Sequence, residues 1–306
     1  MVKKVLVPLD GSATSERALE PALNLARPQR AQLILLHSMI PVHTMLPVFA
    51  DEYAWVWPEG SRDVSRRQAS EYLTSVAQRQ AEAGVEVRTL LVEGDEAVAI
   101  LDAAAEEGVD LIVMSAFGYS GMTRWSMGSI TEKVLHSAPC PVFVVRSTKP
   151  IHNILITLDG SELAEKAMDP ALEIACALNA RVTLLRVTRP PFRPDQIPYL
   201  QWVEDDLGEQ LGTNLRNGAE SYLRDVSLRH QGTRPGGEPL GTVVRQGPPV
   251  EEILDYANSH MIDLIALSTH GRTGLRRWIY GSIAARVLRG SACNVLIVRP
   301  PAEELK

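Results

Sequence analysis

Two stretches of the chain set glycine and serine where a phosphate group would suit them. The first reads Ser115-Ala-Phe-Gly118, nine residues, then Gly128-Ser129; the second reads Ser268-Thr-His-Gly271, nine residues, then Gly281-Ser282. Glycine lets backbone amides come close to phosphate oxygens, and Gly-Ser at the start of a helix presents unpaired N–H groups with a hydroxyl beside them. Each stretch lies between an apolar run of strand length and an amphipathic run, so the predicted loop joins a buried strand to a helix N-terminus. The same spacing twice argues against a loop serving structure alone. Arg124 and Arg277 hold equivalent positions inside the loops, and Arg272 and Arg276 join them in the second. Each either pairs with phosphate or is a solvated surface charge.

Two further features repeat. Asp10 and Asp159 each close an apolar run and are followed directly by Gly-Ser. Such a carboxylate accepts hydrogen bonds either from a nucleoside or from the amides that open the next helix. Gly94 and Gly247 follow a later apolar run and read equally well as plain turns.

Other chemistries find no footing. No GxGxxG follows the first strand, no GxxxxGK[ST] loop offers a phosphate lysine, and no nucleophile elbow anchors a Ser/His/Asp order. The seven histidines share no metal-ligand spacing. His270 stands beside Gly271, but its counterpart is Phe117, so the motif does not depend on imidazole. Cys140, Cys176 and Cys293 are too few and too scattered for a disulfide framework, and read as reduced, small core residues. The formal net charge of -6 gives no electrostatic reason to expect nucleic acid or an anionic membrane as partner. The longest apolar runs, such as Leu33 to Leu36, fall far short of the roughly 20 residues that span a bilayer. Met1-Val2-Lys3-Lys4 leads straight into a strand pattern without the apolar core and cleavage site of a signal peptide, so a cytoplasmic location is expected.

The elements that must position these residues are themselves duplicated. Val5 to Ser12 matches Ile154 to Ser161 at an offset of 149, and Met114 to Arg146 matches Leu267 to Arg299 at an offset of 153. Matching ends with a variable middle mark a duplicated domain, predicted at 1–148 and 149–306. In the first copy, residues 3–9, 32–39, 85–92, 110–116 and 141–146 are nearly continuous apolar runs, as expected of strands buried on both faces. Ser12 to Arg27 and Asp95 to Glu106 carry a helical apolar face behind a capping residue. The second copy repeats the order, with strands near 152–158, 180–187, 240–246, 263–269 and 294–298. Alternating strands and helices predict an α/β fold of two tandem doubly wound, Rossmann-like domains with parallel sheets. Pro41 to Gly60 and Pro190 to Asn214 break the pattern at matching places, either as covers for a site or as surface excursions.

On these residues the chain resembles the universal stress protein family, in its tandem-domain form. The family signature Gly-x2-Gly-x9-Gly-(Ser/Thr) is met as Ser115-x2-Gly118-x9-Gly128-Ser129 and Ser268-x2-Gly271-x9-Gly281-Ser282, with serine at the first glycine both times. The resemblance implies five strands per domain in the order 3-2-1-4-5, pairing of the halves through their last strands, and ATP as ligand, with or without Mg2+. It implies a regulatory role in stress response and leaves room for a further homodimer and for slow ATP hydrolysis. The nucleotide would lie against Pro8, Leu9, Asp10, Ser38, Met114, Ser115, Gly118, Gly121, Arg124, Gly128, Ser129 and Ile130 in the first half. In the second it would lie against Thr157, Leu158, Asp159, Val187, Leu267, Ser268, Gly271, Arg272, Gly274, Arg277, Gly281, Ser282 and Ile283.

Overall fold

The computed structural model describes residues 1–39, 44–49, 52–56, 61–116, 128–189, 205–232, 239–269 and 282–299. The chain divides into two compact units, Met1–Thr148 and Lys149–Lys306. The first runs β1 (Lys4–Pro8), α1 (Ala13–Glu16), α2 (Leu19–Gln29), β2 (Gln32–Met39), β3 (Thr44–Phe49), β4 (Glu52–Val56), α3 (Ser61–Ala81), β5 (Val87–Glu93), α4 (Glu96–Glu106), β6 (Leu111–Ser115), α5 (Ser129–Ser137) and β7 (Val142–Val145). Five of these strands form one parallel layer, ordered β5-β2-β1-β6-β7, which is the expected 3-2-1-4-5 arrangement. Val5 to Val7, Leu33 to Leu35, Ile112 and Val113 are fully buried, as strands covered on both faces must be.

The second unit runs β8 (Asn153–Thr157), α6 (Glu162–Glu165), α7 (Met168–Leu178), β9 (Arg181–Thr188), α8 (Asp205–Arg229), β10 (Gly241–Gln246), α9 (Pro249–Ser259), β11 (Leu264–Ser268), α10 (Ser282–Gly290) and β12 (Asn294–Val298). Its parallel order, β10-β9-β8-β11-β12, repeats the first.

Three expectations are adjusted. The helix predicted over 12–27 is two helices. Ser12 caps α1 through its side chain, then Ala18 N–H turns back to Ser15 O at 3.1 Å and redirects the chain into α2. The excursion after β2 contains an antiparallel hairpin, with Thr44 opposite Val56. The excursion after β9 ends sooner than predicted, because α8 already begins at Asp205; Gly208, Gly212 and Asn214 dilute its helical signal in the sequence. None of the three cysteines is in a disulfide, and each is only partly buried. Burial, and then the nearby charge of Asp110, push the Cys140 thiol up to about 12.

One repeated carboxylate ties strand to strand at the end of each sheet remote from the glycine loops. Asp110 Oδ2 accepts from Lys3 N–H at 2.7 Å and Lys4 N–H at 2.9 Å; Asp263 Oδ2 accepts from His152 N–H at 2.8 Å and Asn153 N–H at 3.0 Å. Two charge-assisted bonds at a solvent-exposed site predict that Asp110→Ala lowers stability by about 1 to 2 kcal/mol, at the lower end for a charged acceptor. Asp263→Ala should match it, and urea unfolding of the two variants measures both.

Candidate functional site

At the carboxyl end of the first unit's sheet lies a cavity of about 250 Å³. Strand β1 enters it with Pro8 and Leu9, and Leu9 N–H still pairs with Leu36 O at 2.8 Å, so the chain turns only at Asp10. There Asp10 Oδ1 accepts from Ser12 N–H at 2.9 Å and from Ser12 Oγ–H at 2.6 Å, while Ser12 Oγ accepts from Ser15 N–H at 3.1 Å. Gly11 takes φ +83, which a residue with a side chain rarely adopts, and this lets the turn close. Asp159 and Ser161 repeat the arrangement at 2.9 and 2.6 Å, with Gly160 at φ +88. Both aspartates therefore hold the turn with one oxygen, which fixes where the carboxylate stands.

The opposite side of the first cavity is built by β6 and α5. Met114 and Ser115 end the strand, Gly128 N–H returns to Ala116 O at 3.2 Å, and Thr131 Oγ–H donates to Ser115 O at 3.3 Å. These bonds aim the first turn of α5, with Gly128, Ser129 and Ile130, into the cavity. Gly128, as the N-cap, brings no side chain to cap the helix, and the first N–H groups of a helix have no partner within it, so this end suits an anion. Ser38, from β2, lines the same space and spends its hydroxyl on Gly94 O at 2.9 Å.

The cavity thus brings together Pro8, Leu9, Asp10, Ser38, Met114, Ser115, Gly128, Ser129 and Ile130 from the sequence reading. Gly118, Gly121 and Arg124 lie outside the described residues, as do Gly271, Arg272, Gly274, Arg277 and Gly281. In the second unit the equivalent strand ends carry Thr157, Leu158, Asp159, Val187, Leu267 and Ser268, and α10 begins with Ser282 and Ile283. Ser268 Oγ is buried there without a hydrogen-bond partner among the described residues.

The sequence reading missed Ser15, Leu36, Glu96, Ile100 and Thr131, which also line the first cavity. It missed a repeated cluster beside each turn as well. Tyr72 O–H donates to Glu16 at 3.1 Å and Arg79 pairs with the same carboxylate at 3.1 Å; Tyr222 and Arg229 hold Glu165 at 2.9 Å each. Burial and the glutamate push both phenols well above their usual value. The recurrence of Glu, Tyr and Arg at offsets of 149, 150 and 150 was a signal in the sequence that could have found it. The halves differ at the next position: His37 Nδ1–H donates to Leu9 O at 2.7 Å, whereas Arg186 stacks 4.7 Å over Tyr222 and packs against Gly160.

Among the described residues no cluster of His, Cys, Asp and Glu suits a metal ion, and no helix is long and apolar enough to cross a membrane.

Comparison with known proteins agrees with this architecture. The model of the universal stress protein family matches twice, over residues 1–146 and 150–299. Universal stress protein YxiE of Bacillus subtilis is 33% identical over 151 residues, spanning 48% of this chain and 100% of that protein. The universal stress protein E homolog of Haemophilus influenzae is 25% identical over 324 residues and spans 99% of both chains. A crystal structure of a universal stress protein from Archaeoglobus fulgidus shares the fold, with a TM-score of 0.68 at 21% identity over 97% of this chain and 98% of that one. The chain belongs to the universal stress protein family, and carries the family's domain twice in tandem.

Proposed function

We propose that the chain binds ATP in each half, with or without Mg2+, as a regulatory protein of stress response rather than as a dedicated catalyst. One observation carries the reading: the N-terminus of α5, whose N-cap is the side-chain-less Gly128, faces a cavity that also holds the fixed Asp10 carboxylate and the apolar side chains of Leu9, Leu36, Ile100 and Met114. An anion site, a polar acceptor and an apolar wall are the three things phosphate, ribose and base require. The chemistry of the donor set fits the ligand. In the second half the buried Ser268 hydroxyl offers a further group that a bound nucleotide would satisfy.

The last strand of each unit stands at the edge of that unit's own order and is apolar, Val-Phe-Val-Val in β7 and Asn-Val-Leu-Ile-Val in β12. Such an edge invites pairing, and the reading has the two edges pair within the chain in the cytoplasm.

Calorimetric titration of the full chain with ATP tests the binding, with two sites per chain as the expected result. Absence of heat sinks it. Phosphate release above a protein-free control would instead make the chain an ATPase.

A further inference from the structure

Glu96 is a carboxylate in the first cavity that the family motif does not contain. It is the first residue of α4, partly buried, behind an N-cap Asp95 that accepts from Ala97 and Val98 N–H at 3.0 and 3.1 Å. The sheet order sets β2 and the start of α4 to one side of β1, and the start of α5, which follows β6, to the other. With phosphate at Gly128 and Ser129, the base therefore falls toward Ser38, Ile100 and Glu96.

An adenine edge presents an amino donor at N6 beside a bare acceptor at N1. An ionised carboxylate satisfies the first and sets its other oxygen against the second. A carboxylic acid satisfies both, since its carbonyl accepts from N6–H while its O–H donates to N1. We propose that Glu96 reads the adenine edge in the first half as a carboxylic acid, so that this half takes up a proton from solvent when it binds an adenine nucleotide. The proposal rests on the nucleotide reading above and adds to it the group that recognises the base.

The surroundings favour the neutral form. Burial and then the Asp10 charge raise the Glu96 carboxyl above its usual range, with a further contribution from Asp95; His37 and Lys133 oppose them. Pairing with N1 raises it again. Affinity in the first half is then greatest below the free-state value and is lost as pH rises through the bound-state value, at up to about tenfold per pH unit between the two. The second half is an internal contrast, since Pro248 and Pro249 occupy the positions of Asp95 and Glu96 and carry no such group.

The test compares wild type with Glu96→Gln and Glu96→Leu by calorimetry of the full chain with ATP, in buffers of different ionisation enthalpy across about pH 5 to 8. Adenosine serves as a second probe, because it has no titrating phosphate. At pH values between the free-state and bound-state values, where the affinity falls, wild type should take up as much as about one more proton per chain than Glu96→Gln, because the second half contributes equally to both proteins. A glutamine amide makes the same two bonds at every pH, its carbonyl accepting from N6–H and its N–H donating to N1, so Glu96→Gln should bind more tightly than wild type at neutral pH and lose the pH dependence. Glu96→Leu, with neither bond, should be weaker than Glu96→Gln throughout. ATP binding with equal proton uptake in wild type and Glu96→Gln overturns the proposal and leaves nucleotide binding standing. No heat from any of the three overturns both.

Discussion

Placing a carboxylate at the first helical residue of α5 and α10, by Ser129→Glu with Ser282→Glu, should abolish ATP binding in calorimetry while leaving the unfolding midpoint unchanged or slightly raised. Two effects of opposite sign separate binding from folding here. An acidic residue in the first turn of a helix contributes about 0.3 to 1 kcal/mol of stability through the helix dipole. The same charge about 4 Å from a phosphate, at an effective dielectric constant of roughly 20, opposes binding by about 4 kcal/mol. A loss on the order of 100-fold or more is therefore expected without loss of the fold. Ser129→Glu alone should remove one of the two sites, and the neutral pair Ser129→Gln with Ser282→Gln should bind within a few-fold of wild type. Undiminished affinity in the double glutamate variant would put the phosphates elsewhere than at these helix termini.

The sequence reading reached these helix termini because their signals are local. Each apolar run is a strand since a parallel layer buried on both faces tolerates nothing else, and Gly128-Ser129 announces a helix start from two residues. Asp10 was readable only as an alternative between cap and ligand. The structure shows it holding the turn, with Ser12 as the residue that caps α1. Glu96 escaped because an acid after Asp95 reads as an ordinary first-turn helix residue. It becomes a cavity residue only once β5 stands beside β2, and that adjacency is fixed by strand order, which no local spacing encodes. The Tyr72–Glu16 and Asp110–Lys4 bonds join residues 56 and 106 positions apart, and each was open to discovery only through its repetition in the second half.

Helix α3 is where local pattern fails most, and it yields the largest expected stability effect. Most of its surface is charged or polar, so it carries little amphipathic signal, yet Ala69, Leu73 and Val76 are buried at i, i+4 and i+7. That stripe packs on β2 and β5. Ala219, Leu223 and Val226 form the same stripe on α8, against β9 and β10. With so few apolar anchors, each must supply a large share of the docking energy. Leu73→Ala and Leu223→Ala should each cost about 2 to 5 kcal/mol, from lost transfer energy plus the cavity left behind. Val64 lies on the same helix but is 56% exposed, so Val64→Ala should stay within about 0.5 kcal/mol of wild type. Denaturation followed by circular dichroism gives the totals, and hydrogen exchange over residues 61–81 locates the loss. Tyr72 adjoins Leu73 and holds Glu16 in α1, immediately after the Asp10 turn. A loosened α3 should therefore speed exchange in α1 as well, while Val64→Ala leaves both helices protected. A cost below about 1 kcal/mol for Leu73→Ala would mean that α3 is anchored by its Tyr72 and Arg79 contacts to Glu16 rather than by its apolar stripe.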